Sequence, residues 1–286
     1  MKIGFIGIGV MGESMAIHLL KGGHELYVYN RTKSKTDKII QAGAYWCENV
    51  KEVAERAELI FTIIGIPQDV EEVYLSETGL IDNVAPSTIL VDMTTSTPQL
   101  AKKIYEAGKA RGVQCLDAPV TGGDIGAKNG TLTIFVGGEK AVFEQILPIL
   151  NLMGKTNVYM GEAGSGQHAK MANQIAIAGA VMGMAESLAY AKSANLDLNE
   201  ILNAMTTGAA TSWQLSNMGP RVIKGDFEPG FYIKHFIKDM RIAAEESNAM
   251  GIQVPGLNLV LSLYEELEQK NLENLGTQAL FKLYEK

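Results

Sequence analysis

Lys170 is followed by Asn173 and Gln174, three and four residues further on. On a helix those spacings put all three side chains on one face. An ammonium group beside an amide that orients it can stabilise negative charge growing on a carbonyl oxygen and give that oxygen a proton. In the reverse direction it removes the proton of an alcohol. A lysine met alone is more often solvated, so its surroundings decide. A second group, Thr121-Gly122-Gly123, combines a hydroxyl with two backbone N–H groups that glycine leaves open to close approach, a set suited to a carboxylate. Taken alone, residues 121–130 read equally well as a glycine-rich β-turn.

A third pattern sits near the amino terminus. Gly7-Ile8-Gly9-Val10-Met11-Gly12 is a GxGxxG run between strand-like and helix-like sequence. Gly7 permits the tight turn, Gly9 lets the backbone approach a pyrophosphate, and Gly12 allows close helix–strand packing. A lone run of this kind can arise by chance. Here strand, turn, helix and second strand fit the unit of about 30 residues that binds a dinucleotide. The end of the second strand discriminates the two nicotinamide cofactors, because an NAD site usually places an acid there. This chain reads Tyr29-Asn30-Arg31-Thr32-Lys33, without one. Asn30 can touch the ribose, Arg31 can grip a 2′-phosphate with its planar donors, and Thr32 and Lys33 can add donors. NADP is preferred, with NAD as the less favoured cofactor.

These residues need a scaffold, and the first 160 or so residues supply strand-like runs at Lys2–Ile8, Glu25–Asn30, Leu59–Ile64, Ile89–Asp92, Val113–Asp117, Thr131–Val136 and Val158–Met160. Helical stretches such as Gly12–Lys21, Lys33–Gln41 and Pro98–Arg111 lie between them. Alternation of this kind predicts an α/β fold of Rossmann type, a doubly wound and mainly parallel sheet. After the glycine-rich run 161–166 the chain becomes helical, beginning with a proline-free stretch from Gln167 to Ser193. Further helices are expected at Leu198–Thr206, Trp213–Ile223, Lys234–Met250, Leu257–Glu268 and Thr277–Tyr284. The expected domains are 1–163, binding the dinucleotide, and 164–286, all-helical, joined through the long helix. Thr94 and Thr95 follow the strand ending at Asp92, where doubly wound sheets bind ligands, or else cap the helix near Pro98.

Composition narrows the partners. A net charge of −7 argues against a broad nucleic-acid surface. Cys47 and Cys115 are too few for a disulfide framework, and the four histidines (His18, His24, His168, His235) form no metal-site pattern, so no metal is expected. No basic-then-apolar leader precedes Lys2, and the most apolar helical stretch, 175–185, is shorter than the roughly 20 residues that span a bilayer. A soluble, cytoplasmic chain is expected, with no membrane partner. Tyr105-Glu-Ala-Gly-Lys109 matches the YxxxK of short-chain dehydrogenases, but the phosphate loop lacks that family's form and the match is easy by chance.

Asp117-Ala-Pro-Val-Thr-Gly-Gly123 resembles the DAPVSGG signature of β-hydroxyacid dehydrogenases. Gly164-Ser-Gly-Gln-His-Ala-Lys170-Met-Ala-Asn173-Gln174 is similar to their GxGxxxKxxNN/Q segment, and Lys234-His-Phe-Ile-Lys238-Asp239 to their late KD motif. With the amino-terminal GxGxMG these follow the family's order across nearly the whole chain. The family includes 3-hydroxyisobutyrate dehydrogenase, tartronate semialdehyde reductase and the glyoxylate and succinic semialdehyde reductases. The resemblance implies hydride transfer between a nicotinamide and a small acid bearing a hydroxyl or aldehyde near its carboxylate. Lys170 would then be the acid and base, with Asn173 beside it, and Thr121, Gly122 and Gly123 the carboxylate site. Thr121 stands where the family usually has Ser, and its extra methyl narrows that pocket.

The resemblance further implies that Thr95 contacts the nicotinamide ribose, that Lys238 contacts the cofactor with Asp239 as its partner, and that Phe231 walls the substrate pocket. It also implies a homodimer or homotetramer. Trp213 and Tyr232 are expected in the core. An imine reductase shares this architecture but usually replaces the lysine. A non-catalytic dinucleotide-binding or assembly module would be expected to have lost it.

Overall fold

β-Branched and aromatic runs form the strands of a single sheet in the computed structural model, which describes residues 1–285. The strands are β1 (Lys2–Ile6), β2 (Glu25–Tyr29), β3 (Tyr45–Trp46), β4 (Leu59–Thr62), β5 (Ile89–Asp92), β6 (Gln114–Asp117), β7 (Val120–Thr121), β8 (Leu132–Gly137) and β9 (Gly154–Gly161). Their order is β3-β2-β1-β4-β5-β6-β8-β7, with β9 also paired to β8. Strands from β3 through β6 are mutually parallel. β8 runs antiparallel to β6 and β7 and parallel to β9. The strand order reverses between β1 and β4, and the crevice outside the carboxyl ends of the strands at such a point is where this fold binds ligands.

Side chains of the central strands alternate between two cores. Ile3, Phe5, Leu59, Phe61, Ile89 and Val91 join one cluster, while Ile6, Ile60, Leu90 and Cys115 join the other. That period of two is what a sheet buried on both faces requires. The helices Val10–Lys21 and Lys140–Leu150 supply side chains to the first cluster, and Pro67–Leu75 and Pro98–Ala110 to the second.

The chain divides into compact units at Met1–Lys170 and from Met171 onward. The first turns of the helix Ser165–Ser193 thus belong with the sheet, held there by hydrogen bonds to the end of β6. By length and composition alone this 29-residue helix could cross a membrane. Its buried residues Ala178, Val181, Met184, Ala185 and Leu188 instead form the core of the helical unit. With them pack Phe236, from the helix Ile233–Ala249, and Tyr264, from Pro255–Gln269. The two rings meet edge to face at 5.1 Å, and the Tyr264 hydroxyl donates to the Thr277 carbonyl at 2.7 Å.

Three local features differ from the sequence expectation. β3 and β7 hold two residues each, too few to show a period. The helix expected over 213–223 is two, Trp213–Asn217 and Gly219–Ile223, because Pro220 has no N–H to continue the first. Trp213, expected in the core, is 46% exposed at the first position of its short helix.

Phe61 is fully buried, with its ring 6.3 Å from that of Phe5. Phe61→Ala should lower the unfolding free energy by about 3–5 kcal/mol in urea titrations, the usual range for a large side chain lost from a packed core.

Candidate active site

The loop after β1 is built by glycine where backbone must meet backbone. Gly7 has φ of +102°, and a Cβ there would lie 2.1 Å from the Ile63 carbonyl oxygen. At Gly12 a Cβ would lie 1.9 Å from the Gly7 carbonyl oxygen. At Gly9, the N-cap of Val10–Lys21, a Cβ would meet open space beyond its own chain neighbours. Ile8 is buried and Val10 exposed.

Asn30 braces this loop. Its Oδ1 accepts from the Ile8 N–H at 2.9 Å and its Nδ2 donates to the Thr32 carbonyl at 2.8 Å. One side chain therefore ties the glycine-rich loop to the turn carrying Arg31 and Thr32. Arg31 is 87% exposed and lies 3.6 Å from Asp69. Lys33 pairs with Glu48 at 3.2 Å and sits over the Trp46 ring. Donors for a pyrophosphate and a ribose thus meet at the carboxyl ends of β1 and β2, and the open backbone at Gly9 fits a dinucleotide.

The ends of β4, β5 and β6 are joined by buried polar groups. Asp92 Oδ1 accepts from the Thr62 hydroxyl at 2.8 Å and from the Thr94 N–H at 3.1 Å. Thr62 also meets the Tyr74 hydroxyl at 2.9 Å, and Thr94 Oγ1 accepts from the Ile64 N–H at 3.0 Å. Burial raises the Asp92 carboxyl to about 6, against the pull of these hydrogen bonds. Thr95 follows, half-buried. Neither Thr94 nor Thr95 caps the next helix; the Thr97 hydroxyl accepts from the Leu100 N–H at 3.1 Å and does so.

Beyond β6 the chain crosses β7 and turns through Gly122 and Gly123, with φ of +124° and +65°. The residues 123–129 are helical rather than a β-turn. Lys170 is 6% exposed, and its Nζ donates to the Val120 carbonyl at 2.9 Å. The ammonium group and the Thr121-Gly122-Gly123 turn are therefore neighbours within the first unit. Asp117 fixes the start of the long helix by accepting from the N–H groups of Gly164 and Gln167, each at 2.8 Å. Burial pushes the Asp117 carboxyl up, and these N–H groups oppose the rise.

In the helical unit Asp239, an expected site residue, is almost fully buried between Gln174 and Lys238. Its Oδ2 accepts from Gln174 Nε2 at 2.7 Å, and Lys238 Nζ lies 3.0 Å from its Oδ1. The buried amide oxygen Oδ1 of Asn173 has no partner among the described residues. Phe231 stacks on His235, with 6.5 Å between centroids, and tilts against Phe236. The His235 imidazole is held below its ordinary pKa by burial and then by Lys238. Sequence reasoning did not single out Gln167, which is fully buried and bonded to the loop after β5. Its only sequence signal is its place three residues before Lys170.

Fold and loop chemistry define a dinucleotide-binding protein. Residues 2–161 match the family model for the NAD-binding domain of 6-phosphogluconate dehydrogenase, and residues 164–284 that for the NAD-binding domain of NADP-dependent 3-hydroxyisobutyrate dehydrogenase. The chain is 56% identical to an uncharacterized oxidoreductase of Bacillus subtilis over 99% of both chains. It is 35% identical to the 2-hydroxy-3-oxopropionate reductase of Escherichia coli over 100% of this chain and 97% of that one. The solved 3-hydroxyisobutyrate dehydrogenase of Mycobacterium tuberculosis, with L-serine, has the same fold, with a TM-score of 0.89 at 24% identity over 100% and 99% of the two chains. The chain belongs to the 3-hydroxyisobutyrate dehydrogenase family of NAD(P)-dependent hydroxyacid dehydrogenases.

The raised Asp92 carboxyl has a consequence for stability. Its folded value, about 6, lies above the ordinary 3.8, so its contribution is full below pH 4 and is lost as pH rises through 6. Asp92→Asn removes that titration. Between pH 4 and pH 7.5 the variant should gain about 3 kcal/mol relative to the unsubstituted chain, the order set by a shift of roughly two pKa units. Urea unfolding of both proteins across this range checks it; parallel curves would contradict the assignment.

Proposed function

We propose that the protein is an NADP-preferring dehydrogenase of a short β-hydroxyacid, or reductase of the corresponding semialdehyde, with Lys170 as general acid and base. The observation that carries this is the position of Lys170. Its buried ammonium group is directed by the Val120 carbonyl at 2.9 Å, one residue before the Thr121-Gly122-Gly123 turn. A donor so placed stands beside a group of donors suited to a carboxylate.

The bound dinucleotide supplies the hydride in reduction and accepts it in oxidation. Thr121 Oγ1 and the N–H groups of Gly122 and Gly123 hold the substrate carboxylate and so fix the carbon next to it. Lys170 Nζ stabilises the negative charge developing on the carbonyl oxygen and transfers a proton to it; in oxidation it takes the hydroxyl proton. Asn173, on the next turn of the same helix, offers its amide to the substrate oxygen. Phe231 supplies an apolar wall, and the methyl of Thr121 favours a short acid. On the cofactor side Thr95 would hold the nicotinamide ribose, and Lys238, paired with Asp239 at 3.0 Å, would offer the cofactor its ammonium.

NADP preference is supported by the turn after β2. Asn30 stands where an acid would accept from the ribose hydroxyls, and both its arms are engaged in holding the loop. Arg31 is exposed, with its guanidinium 3.6 Å from Asp69, and a planar fork of that kind suits a 2′-phosphate. A cytoplasmic location fits two buried cysteines that are free thiols.

Turnover should be sought on glyoxylate, succinic semialdehyde, tartronate semialdehyde and methylmalonate semialdehyde, with NADPH and NADH in parallel. On the best acid of that panel, Lys170→Ala should lower kcat by about 10²–10⁴-fold. NADPH affinity, read by fluorescence titration, should stay nearly unchanged; comparable turnover in the variant removes the role. Arg31→Ala should raise the KM for NADPH by about 10–100-fold, the loss of one charge-assisted contact, and leave that for NADH within about 3-fold. Equal effects on both cofactors would remove the NADP assignment.

A further inference from the structure

Gln167 lies three residues before Lys170 and is fully buried. Its side-chain amide makes two hydrogen bonds to a single stretch of backbone. Oε1 accepts from the Ser96 N–H at 2.9 Å, and Nε2 donates to the Thr94 carbonyl at 2.8 Å. The residue between those two groups is Thr95. One planar amide therefore brackets Thr95 on both sides, much as a neighbouring strand would. Gln167 is itself fastened, since its own N–H donates to Asp117 Oδ2 at 2.8 Å. The bracketed loop is tied from behind by Thr94, through Asp92 and the Ile64 N–H.

We infer that Gln167 is a positioning residue for the reaction, setting the register between Thr95 and Lys170. The inference rests on the roles of those two residues in the proposed function. A side chain at position 167 must offer one donor and one acceptor, side by side, in a fully buried place. A glutamine amide does this in either pH direction. An ionised glutamate would face the Thr94 carbonyl with a second acceptor, and a methionine would fill the space with neither group. Misplacing reacting groups by about 1 Å costs on the order of 100-fold in rate, so a loosened bracket reaches the chemistry without touching substrate. A role confined to packing would lower stability but leave the turnover of folded molecules as it was.

The test uses the full chain with Gln167→Met and Gln167→Glu. Four measurements are made: unfolding midpoint, amide exchange at Ser96, kcat and KM for the best acid of the panel, and the primary isotope effect with 4-deuterated NADPH. In the folded Gln167→Met variant, kcat should fall about 10–100-fold. The KM for the acid should stay within about 3-fold, the isotope effect should rise as the chemical step becomes limiting, and the Ser96 amide of the free protein should exchange faster. Gln167→Glu should show the same loss at neutral pH and recover as pH falls, because a protonated carboxyl restores the donor to Thr94; Gln167→Met should not recover.

Folded variants that turn over within about 2-fold of the unsubstituted chain, with unchanged isotope effect, overturn the inference. So does a loss that follows the unfolded fraction alone. If Gln167→Met does not fold, the acid recovery of Gln167→Glu decides. Lys170→Ala in the same assay separates the two levels. Retained turnover there removes the proposed function, whereas its loss beside undamaged Gln167 variants removes only the positioning role.

Discussion

At the carboxyl end of β6 a buried carboxylate meets the first N–H groups of the long helix. Those N–H groups have no partner within the helix, and the positive end of the helix favours an anion beside them. Asp117 meets both demands, accepting from Gly164 and Gln167 at 2.8 Å each. The approach is so close that a Cβ on Gly166 would stand 2.6 Å from the Asp117 and Phe135 carbonyl oxygens. Position along the helix follows from that contact. Gln167 reaches the loop after β5, and Lys170, nearly one turn further, reaches Val120.

The parallel strands make this possible by delivering their following loops to one edge. The glycine turn after β1, the basic turn after β2, the threonines after β5 and the Gly122-Gly123 turn after β7 come from segments far apart in sequence. Polar side chains, rather than apolar packing, hold them in register there. Thr62, Asp92 and Thr94 link β4 to β5, and the Ala118 N–H donates to the Asp92 carbonyl at 2.7 Å to bring in β6. Buried polar groups of this kind are stabilising only when satisfied together. The edge therefore combines rigidity with a carboxyl, Asp92, whose charge is unfavourable to bury.

Much of this was legible in residues 1–170. Glycine spacing, the apolar strand runs and their alternation with helices carry the sheet and its dinucleotide loop, because each is a local pattern. Lys170 and the Thr121-Gly122-Gly123 turn were visible as residue types, yet their adjacency came only from resemblance; nothing local joins Val120 to a lysine 50 residues later. The Gln167 bracket was illegible for the same reason, spanning 71 and 73 residues to Ser96 and Thr94. Asn30 is legible as a polar residue at the end of β2, but its bracing of the glycine-rich loop spans 22 residues to Ile8 and has no local signature. Thr97 as a cap is locally readable from its place before Pro98, although Thr94 and Thr95 carry the same capping chemistry nearer the strand.

Arg31 and Asp117 stand at opposite extremes of constraint. Asp117 is 4% exposed and enmeshed in backbone, so few substitutions leave the fold intact. Arg31 is 87% exposed with Asp69 at 3.6 Å, and replacing such a residue usually changes stability by less than about 0.5 kcal/mol. If the choice of cofactor rests on that arginine, it is set by a part of the molecule that can mutate almost without penalty. Lineages then shift the enzyme between biosynthetic and catabolic electron carriers in a step or two, while the helix start that Asp117 holds stays frozen.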